Sequence, residues 1–304
     1  MIRNLKKGFS LILVLAAMIV FVACSIDTKY DESSMNIIEP AQVGQEISSP
    51  DVVVIDARDK DKYEKGHLKG AINLTAGELS ENTPVKGMIA PKKTFERILS
   101  KNGINSGDKV YIYDDKNGIF ASRIWWVFKY YGHDQVKVIN QGARGLELQG
   151  LEMSADAPMV EKSKYKVASK NEDLLVKIDE VKAQVDNPQE NVIILDTRTK
   201  AEFDEGAIPG AINYSHSNNC YKDGTFKSKQ DIYLNYTDLG IDVEDEVYVY
   251  CKTSVRAAQT AALMQEAGFK NVKVYDGAWL EWQYKGMPST GPTDMVVPTV
   301  QDAS

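Results

Sequence analysis

The chain carries a copy of itself. DVVVIDARDKDKYEKGHLKGAINL (51–74) and NVIILDTRTKAEFDEGAIPGAINY (191–214) align without a gap: Asp56 with Asp196, Arg58 with Arg198, Gly70 with Gly210 and Asn73 with Asn213, each 140 residues apart. Further on, KVYIYDDKNGIFASRIWWVFKYYGHDQVKVINQG matches EVYVYCKTSVRAAQTAALMQEAGFKNVKVYDG, with Tyr113 opposite Tyr250 at 137 and Gly142 opposite Gly277 at 135. The shrinking offset puts small deletions in the loops of the second copy. A tandem unit of about 110–120 residues must build two similar domains. In each copy, apolar β-branched runs alternate with helical patterns. In the second, NEDLLVKIDEVKAQV reads as a helix and VIILD as a buried strand. AEF opens a short helix and IYLNYTDLG suggests another; VYVY, a helix after Cys251 and VKVYDG follow. This alternation predicts an α/β fold of two tandem domains, each a mainly parallel sheet covered by helices on both faces. The carboxyl ends of such strands build the ligand site. Asp196 and Cys251 both end apolar strands, so both can reach one rim.

VYVYCKTSVRAAQTAALMQEAG (247–268) is the stretch with the most chemistry. A strand ends in Cys251 and turns at once into a helix, with Val255, Ala258, Ala262, Leu263 and Ala267 recurring at helical steps. This places the sulfur over a helix N-terminus, where backbone N–H groups lack intrahelical partners and favour an anion such as a thiolate. Lys252 and Arg256 add positive charge. The alternative on these residues alone is an inert buried cysteine.

The run D-x-R, then E-F, then G-A-I-P-G-A-I-N, then a strand ending in cysteine and a Trp-containing C-terminal segment resembles the rhodanese family of sulfurtransferases. The tandem arrangement is similar to the two-domain thiosulfate and 3-mercaptopyruvate sulfurtransferases, over residues 40–290. The resemblance implies a ping-pong transfer: Cys251 takes a sulfane sulfur from a donor such as thiosulfate, becomes a persulfide, and yields that sulfur to cyanide or a thiol. It implies a substrate loop of Lys252, Thr253, Ser254, Val255 and Arg256. Asp196 and Arg198 are implied as structural support of that loop. Asp114 stands where Cys251 does, so the first copy is expected to be inactive. Three departures leave the donor open between thiosulfate, mercaptopyruvate and a persulfide. Thr253 replaces a second basic residue, Ser254 replaces a frequent glycine, and Glu202 stands where some tandem members carry a substrate-holding arginine. His67 reads as a structural histidine, and Ala207 takes its place in the second copy. His133 and His216 lack metal-ligand spacing, and neither a metal nor another cofactor is implied. Trp125 and Trp126 read as core or domain-interface residues, and Trp279 and Trp282 as packing.

The N-terminus explains where this body would work. Arg3, Lys6 and Lys7 precede an apolar run from Phe9 to Ala23, the pattern of a secretory signal. Phe21-Val22-Ala23-Cys24 resembles a bacterial lipobox, with Cys24 as the lipidated residue; an uncleaved anchor and simple secretion are the alternatives. The expected layout is a lipoprotein-type signal peptide at 1–23, a tether at 24–40, an inactive rhodanese domain at 41–152 and a linker at 153–170. A catalytic rhodanese domain at 171–290 and a tail at 291–304 complete it. The product is an extracytoplasmic, membrane-anchored monomer facing the periplasm or cell surface. Loss of residues 1–23 removes three positive charges, so the net charge goes from −7 to −7 − 3 = −10, which argues against nucleic-acid binding. Besides Cys24 there are Cys220 and Cys251, and nothing in the repeat brings them together, so no disulfide between them is expected.

Two other functions compete with sulfur transfer. Related phosphatases and arsenate reductases use a loop of Cys, five residues and Arg. Here Arg256 follows Cys251 after four residues, a loop better suited to one sulfur atom than to a tetrahedral oxyanion. A non-catalytic surface module that binds sulfur or a partner is the second, and the intact Cys251 stands against it.

Overall fold

The computed structural model describes residues 30–291. The signal segment, Cys24 and the C-terminal tail from 292 lie outside them. Among the described residues no helix is long and apolar enough to cross a membrane.

The repeat is reproduced strand by strand. The first sheet is built from β1 (Ile37–Ile38), β2 (Val52–Asp56), β3 (Ile72–Asn73), β4 (Lys109–Tyr113) and β5 (Val136–Ile139), in the order β1-β5-β4-β2-β3. The second uses β6 (Leu175–Val176), β7 (Val192–Asp196), β8 (Ile212–Asn213), β9 (Glu246–Tyr250) and β10 (Asn271–Tyr275), in the order β6-β10-β9-β7-β8. Every pairing in both sheets is parallel, and the registers correspond: Asp56 lies opposite Tyr113, and Asp196 opposite Tyr250. Parallel strands need crossovers, and the helices that supply them cover both faces. That is why the strands are apolar runs such as VIILD rather than alternating ones.

The recurring Asp-x-Arg and Asn hold the crossovers. Arg198 Nη2 donates to Asp196 Oδ2 at 2.6 Å and to the Gly206 carbonyl at 2.6 Å; in the first copy Arg58 does the same to Asp56 and Gly66 at 2.6 and 2.7 Å. Asn213 Nδ2 donates to the carbonyls of Asp196 and Arg198, and Asn73 to those of Asp56 and Arg58. Arg198 also lies 4.6 Å over the Trp279 ring. These bonds fix the chain after β7 and bind Arg198 to Asp196 and Gly206.

The two domains are joined through the helices that follow the two strand-end loops, α4 (Ile119–Tyr130) and α9 (Val255–Glu266), which pack on each other. Ala257, Ala258, Ala261 and Ala262 are buried on α9, and Trp125, Trp126 and Phe128 are buried on α4. The small residues on one helix leave room for the large ones on the other, and one hydrophobic cluster runs through both domains. Trp126 Nε1 donates to the Leu174 carbonyl of the second domain at 3.1 Å, a hydrogen bond across the interface. Trp279 and Trp282 pack within the second domain with Val176, Ile194 and Tyr250.

Three boundaries differ from the sequence expectation. The described part of the expected tether, residues 30–40, is built into the fold. Ile37 and Ile38 form β1, and Asn36 N donates at 2.6 Å to Glu266 Oε2 on the far end of α9. The expected linker, 153–170, runs along the first domain: Met153–Ser154 pairs antiparallel with His67–Leu68, and Tyr165 and Val167 are buried. NEDLLVKIDEVKAQV is not one helix. A short 3-10 turn over Glu172–Leu174 leads into strand β6, and only Ile178–Asp186 is α-helical. Leu175 and Val176 pair with Val274 and Tyr275 at the sheet edge, so tertiary pairing overrides a helical pattern there.

Candidate active site

Cys251 follows β9 directly and is 1% exposed. Its carbonyl accepts from Trp279 N at 3.0 Å, and the Lys252 carbonyl accepts from Leu280 N at 3.2 Å, so the loop is pinned from below by the helix after β10. The first intrahelical bond of α9 runs from Ala258 N to the Ser254 carbonyl at 3.0 Å. The N–H groups of Val255, Arg256 and Ala257 therefore have no carbonyl in their own helix. Ser254 is fully buried, has φ 60°, and caps α9. A left-handed residue with a side chain costs about 1–2 kcal/mol, which is the physical reason a glycine suits this position. Ser254 Oγ offsets part of it by donating to the Thr253 carbonyl at 2.6 Å and to Asp276 Oδ1 at 3.4 Å.

The first copy shows what this loop holds. Asp114, at the position of Cys251, is buried, and its carboxylate accepts four backbone N–H bonds. Lys116 and Gly118 donate to Oδ1 at 2.7 and 2.9 Å, and Phe120 and Ala121 to Oδ2 at 2.8 and 2.9 Å. Burial raises the pKa of this carboxyl, and the four donors offset only part of that rise. Both oxygens are already occupied by donors, so the geometry accommodates the ionised form. The strand-end turn of this fold is thus an anion cradle, filled in one copy by a side chain of the chain itself.

The two cations around Cys251 differ in their surroundings. Lys252 is exposed and, among the described residues, makes no ion pair. Arg256 is committed to Glu202 by a two-point ion pair, Nη1 to Oε2 at 2.7 Å and Nη2 to Oε1 at 2.8 Å. Burial works against the Arg256 charge, but Glu202 and the neighbouring Cys251 sulfur outweigh it and raise its pKa. Glu202 in turn is held at about 2, chiefly by the hydrogen bond from Arg256. His216 stands beside this pair, half-buried, with Nδ1 3.3 Å from the Thr197 carbonyl; burial and then Arg256 lower its pKa. In the sequence Glu202 reads as a departure from a pattern, and His216 only as a histidine without metal-ligand spacing. Neither pairing has a local signal, since the partners lie 54 and 40 residues away in the chain.

Each domain also covers the other's loop. Gly87 of the first domain approaches Thr253 so closely that a Cβ there would sit 3.2 Å from it, and Phe226 of the second lies against Gly118 of the first. Asp276, which follows β10, ties the cover down: it accepts from Ile89 N at 2.8 Å and from Arg123 Nη2 at 2.7 Å, besides Ser254. A cavity of about 480 Å³ opens between the domains and reaches the loop at Thr253 and Val255. Arg58, Lys62, Lys116 and Phe120 of the first domain form part of its wall. Among the loop residues predicted from sequence, Thr253 and Val255 line this space, while Lys252, Arg256 and the buried Cys251 and Ser254 do not.

Cys220 lies elsewhere. It is a free thiol, as is Cys251, and it forms a single bridge with Phe226 on the arm that covers the first domain's loop. Gln259 Nε2 is 3.7 Å from its sulfur, and burial, with the Asp114 charge added, pushes the thiol up to about 12. His67 is buried and stacked 3.7 Å from Tyr63, and His133 bridges Tyr165 and the Asp108 carbonyl; both serve packing.

The comparisons with known proteins agree with this geometry. The family model described as a rhodanese-like domain matches twice, over residues 39–148 and 177–285. Two relatives named "Putative thiosulfate sulfurtransferase" are each 31% identical. The one from Mycolicibacterium smegmatis aligns over 78% of this chain and 90% of its own length, the one from Saccharopolyspora erythraea over 82% and 94%. SseA of Escherichia coli, a 3-mercaptopyruvate sulfurtransferase, superposes with a TM-score of 0.72 at 25% identity, covering 81% of this chain and 99% of that one. Two matched domains, one sheet order used twice and a shared strand-end loop lead to one conclusion: the chain belongs to the rhodanese family, with two rhodanese-like domains in tandem.

Proposed function

We propose that the protein is a sulfurtransferase whose nucleophile is Cys251. The reading rests on one observation: Cys251 occupies the turn in which the first copy holds a carboxylate with four N–H donors. A cradle built for an anion lowers the free energy of a thiolate and of the persulfide anion that follows it. With thiosulfate as donor, the Cys251 thiolate attacks the outer sulfur, the S–S bond of thiosulfate breaks and sulfite leaves with its electron pair. The product is Cys251–S–S⁻. Cyanide or a thiolate then attacks the terminal sulfur and releases the Cys251 thiolate. No external oxidant or reductant enters. The interdomain cavity at Thr253 and Val255 gives donor and acceptor an approach to the loop, and Lys252 supplies positive charge near it, with Arg256 already paired to Glu202. The first domain, with Asp114 in place of a nucleophile, covers the site. Commitment of Arg256 to Glu202 speaks against the phosphatase alternative, which needs that guanidinium for a bound oxyanion.

We propose further that Cys24 is lipidated and anchors the protein on the outer face of a membrane, on the sequence of the signal segment alone. The activity is tested with protein lacking residues 1–24: thiocyanate should form from thiosulfate and cyanide, and Cys251→Ser should abolish it with the fold intact. Turnover by the serine variant close to wild type would refute the assignment. Loss of fatty-acid labelling in Cys24→Ala tests the anchor.

A further inference from the structure

Glu202 is placed with unusual care for a residue on a short surface helix. It is the third residue of α7 (Lys200–Glu205), where its Oε2 accepts from Thr199 N and from Thr199 Oγ1, both at 3.0 Å. The same carboxylate then takes both terminal nitrogens of Arg256. The acid is held from its own helix on one side and by the loop's arginine on the other, so its negative charge is a fixed part of the site. Counting only the loop's own cations and the acid paired with them, Lys252 and Arg256 stand against Glu202, +2 − 1 = +1. Among the described residues, Lys252 is left as the loop cation without an ion pair.

That balance bears on the donor. Attack by a thiolate on thiosulfate gathers three negative charges at the loop, whereas attack on a singly charged donor gathers two. We infer that Glu202 sets the charge selectivity of the site: by neutralising Arg256 it disfavours the thiosulfate dianion relative to singly charged sulfane-sulfur donors. Those donors include organic persulfides and thiosulfonates. The step with such a donor balances as before: R–S–S⁻ and the Cys251 thiolate give R–S⁻ and Cys251–S–S⁻. This inference rests on the sulfur-transfer reading of Cys251 and narrows its donor. Glu202 acts through Arg256 and is a positioning residue.

The test compares thiosulfate with methanethiosulfonate, in which a methyl group replaces one charged oxygen so that the donor carries a single charge. Glu202→Gln should raise kcat/KM for thiosulfate roughly ten-fold, through KM, because one negative charge leaves the neighbourhood of a dianion. The change for methanethiosulfonate should be clearly smaller, and Glu202→Asp should keep the wild-type ratio. A second readout does not need turnover. In a Cys220→Ser background, the rate of Cys251 alkylation by iodoacetate relative to iodoacetamide should rise in Glu202→Gln. An unchanged donor ratio, or an equal loss with both donors, would show that Glu202 only props Arg256 and would overturn the inference. If neither donor transfers sulfur to the wild type, the sulfur-transfer reading fails and the donor inference fails with it.

Discussion

The ion pair between Arg123 and Asp276 connects the first domain to the strand-end loop of the second, and its two halves should respond unequally to mutation. Arg123 is fully buried and Asp276 is 4% exposed, with Nη2 and Oδ1 2.7 Å apart. Asp276 keeps other donors, Ile89 N at 2.8 Å and Ser254 Oγ at 3.4 Å. Arg123 is less well served. One nitrogen reaches Asp276 and the Gly87 carbonyl, but among the described residues Nε and Nη1 have no hydrogen-bond partner, and the guanidinium sits 4.6 Å over the Trp126 ring. Breaking a buried pair by removing one partner costs about 3–5 kcal/mol. Arg123→Met removes the charge and the two orphan donors together, recovering about 1–2 kcal/mol of desolvation, so a net loss of about 2 kcal/mol is expected. Asp276→Asn strands a buried guanidinium with no counter-charge and should cost about 4 kcal/mol. The double variant should fall well short of the sum, with a coupling of about 2 kcal/mol. Urea unfolding of the four proteins measures this. Equal costs for the two single variants, or strict additivity, would refute the reasoning.

Three further outcomes are expected. Asp114→Ala empties the cradle of the first copy and leaves four N–H groups without an acceptor, which should cost about 2–4 kcal/mol in denaturant unfolding and leave sulfur transfer per folded molecule unchanged. Cys220→Ser should keep full activity, and thiol counting on protein lacking Cys24 should find Cys220 and Cys251 free or persulfidated. The Glu202 carboxyl is held at about 2 against an ordinary 4.5, so its stabilisation is present above pH 4.5 and disappears as pH falls through 2. After screening for its 31% exposure, this is about 1 kcal/mol, and acid unfolding of Glu202→Gln should lack that part of the pH dependence.

Much of the fold was legible because repetition is a sequence property. Asp56 and Asp196 align in the chain and end equivalent strands in space, and Cys251 could be placed over a helix N-terminus from the strand and helix patterns around it. What was not legible depends on contacts between distant segments. The Glu202 carboxylate meets Arg256 across 54 residues, and Asp276 meets Ile89 and Arg123 across the domain interface. No periodicity encodes either. Leu175 and Val176 read as helix because their strand forms only when β10 is beside them. Residues 30–40 read as tether because their polar look hides two buried isoleucines and an asparagine that docks on Glu266 of the other domain. Ser254 was the partial exception. A non-glycine at a turn where glycine is frequent was visible in sequence, and the structure supplies the cause, a left-handed backbone with the hydroxyl bonded to Asp276.

The account stands on a sulfur atom passing through Cys251. The most direct measurement is mass spectrometry of the protein lacking residues 1–24, after incubation with thiosulfate and removal of excess donor, followed by peptide mapping. The mass should rise by one sulfur atom, located on the peptide containing Cys251, and should return to its starting value on addition of cyanide. An added sulfur that maps to Cys220, or no added sulfur with any sulfane donor while Cys251 remains open to alkylation, would contradict the central claim.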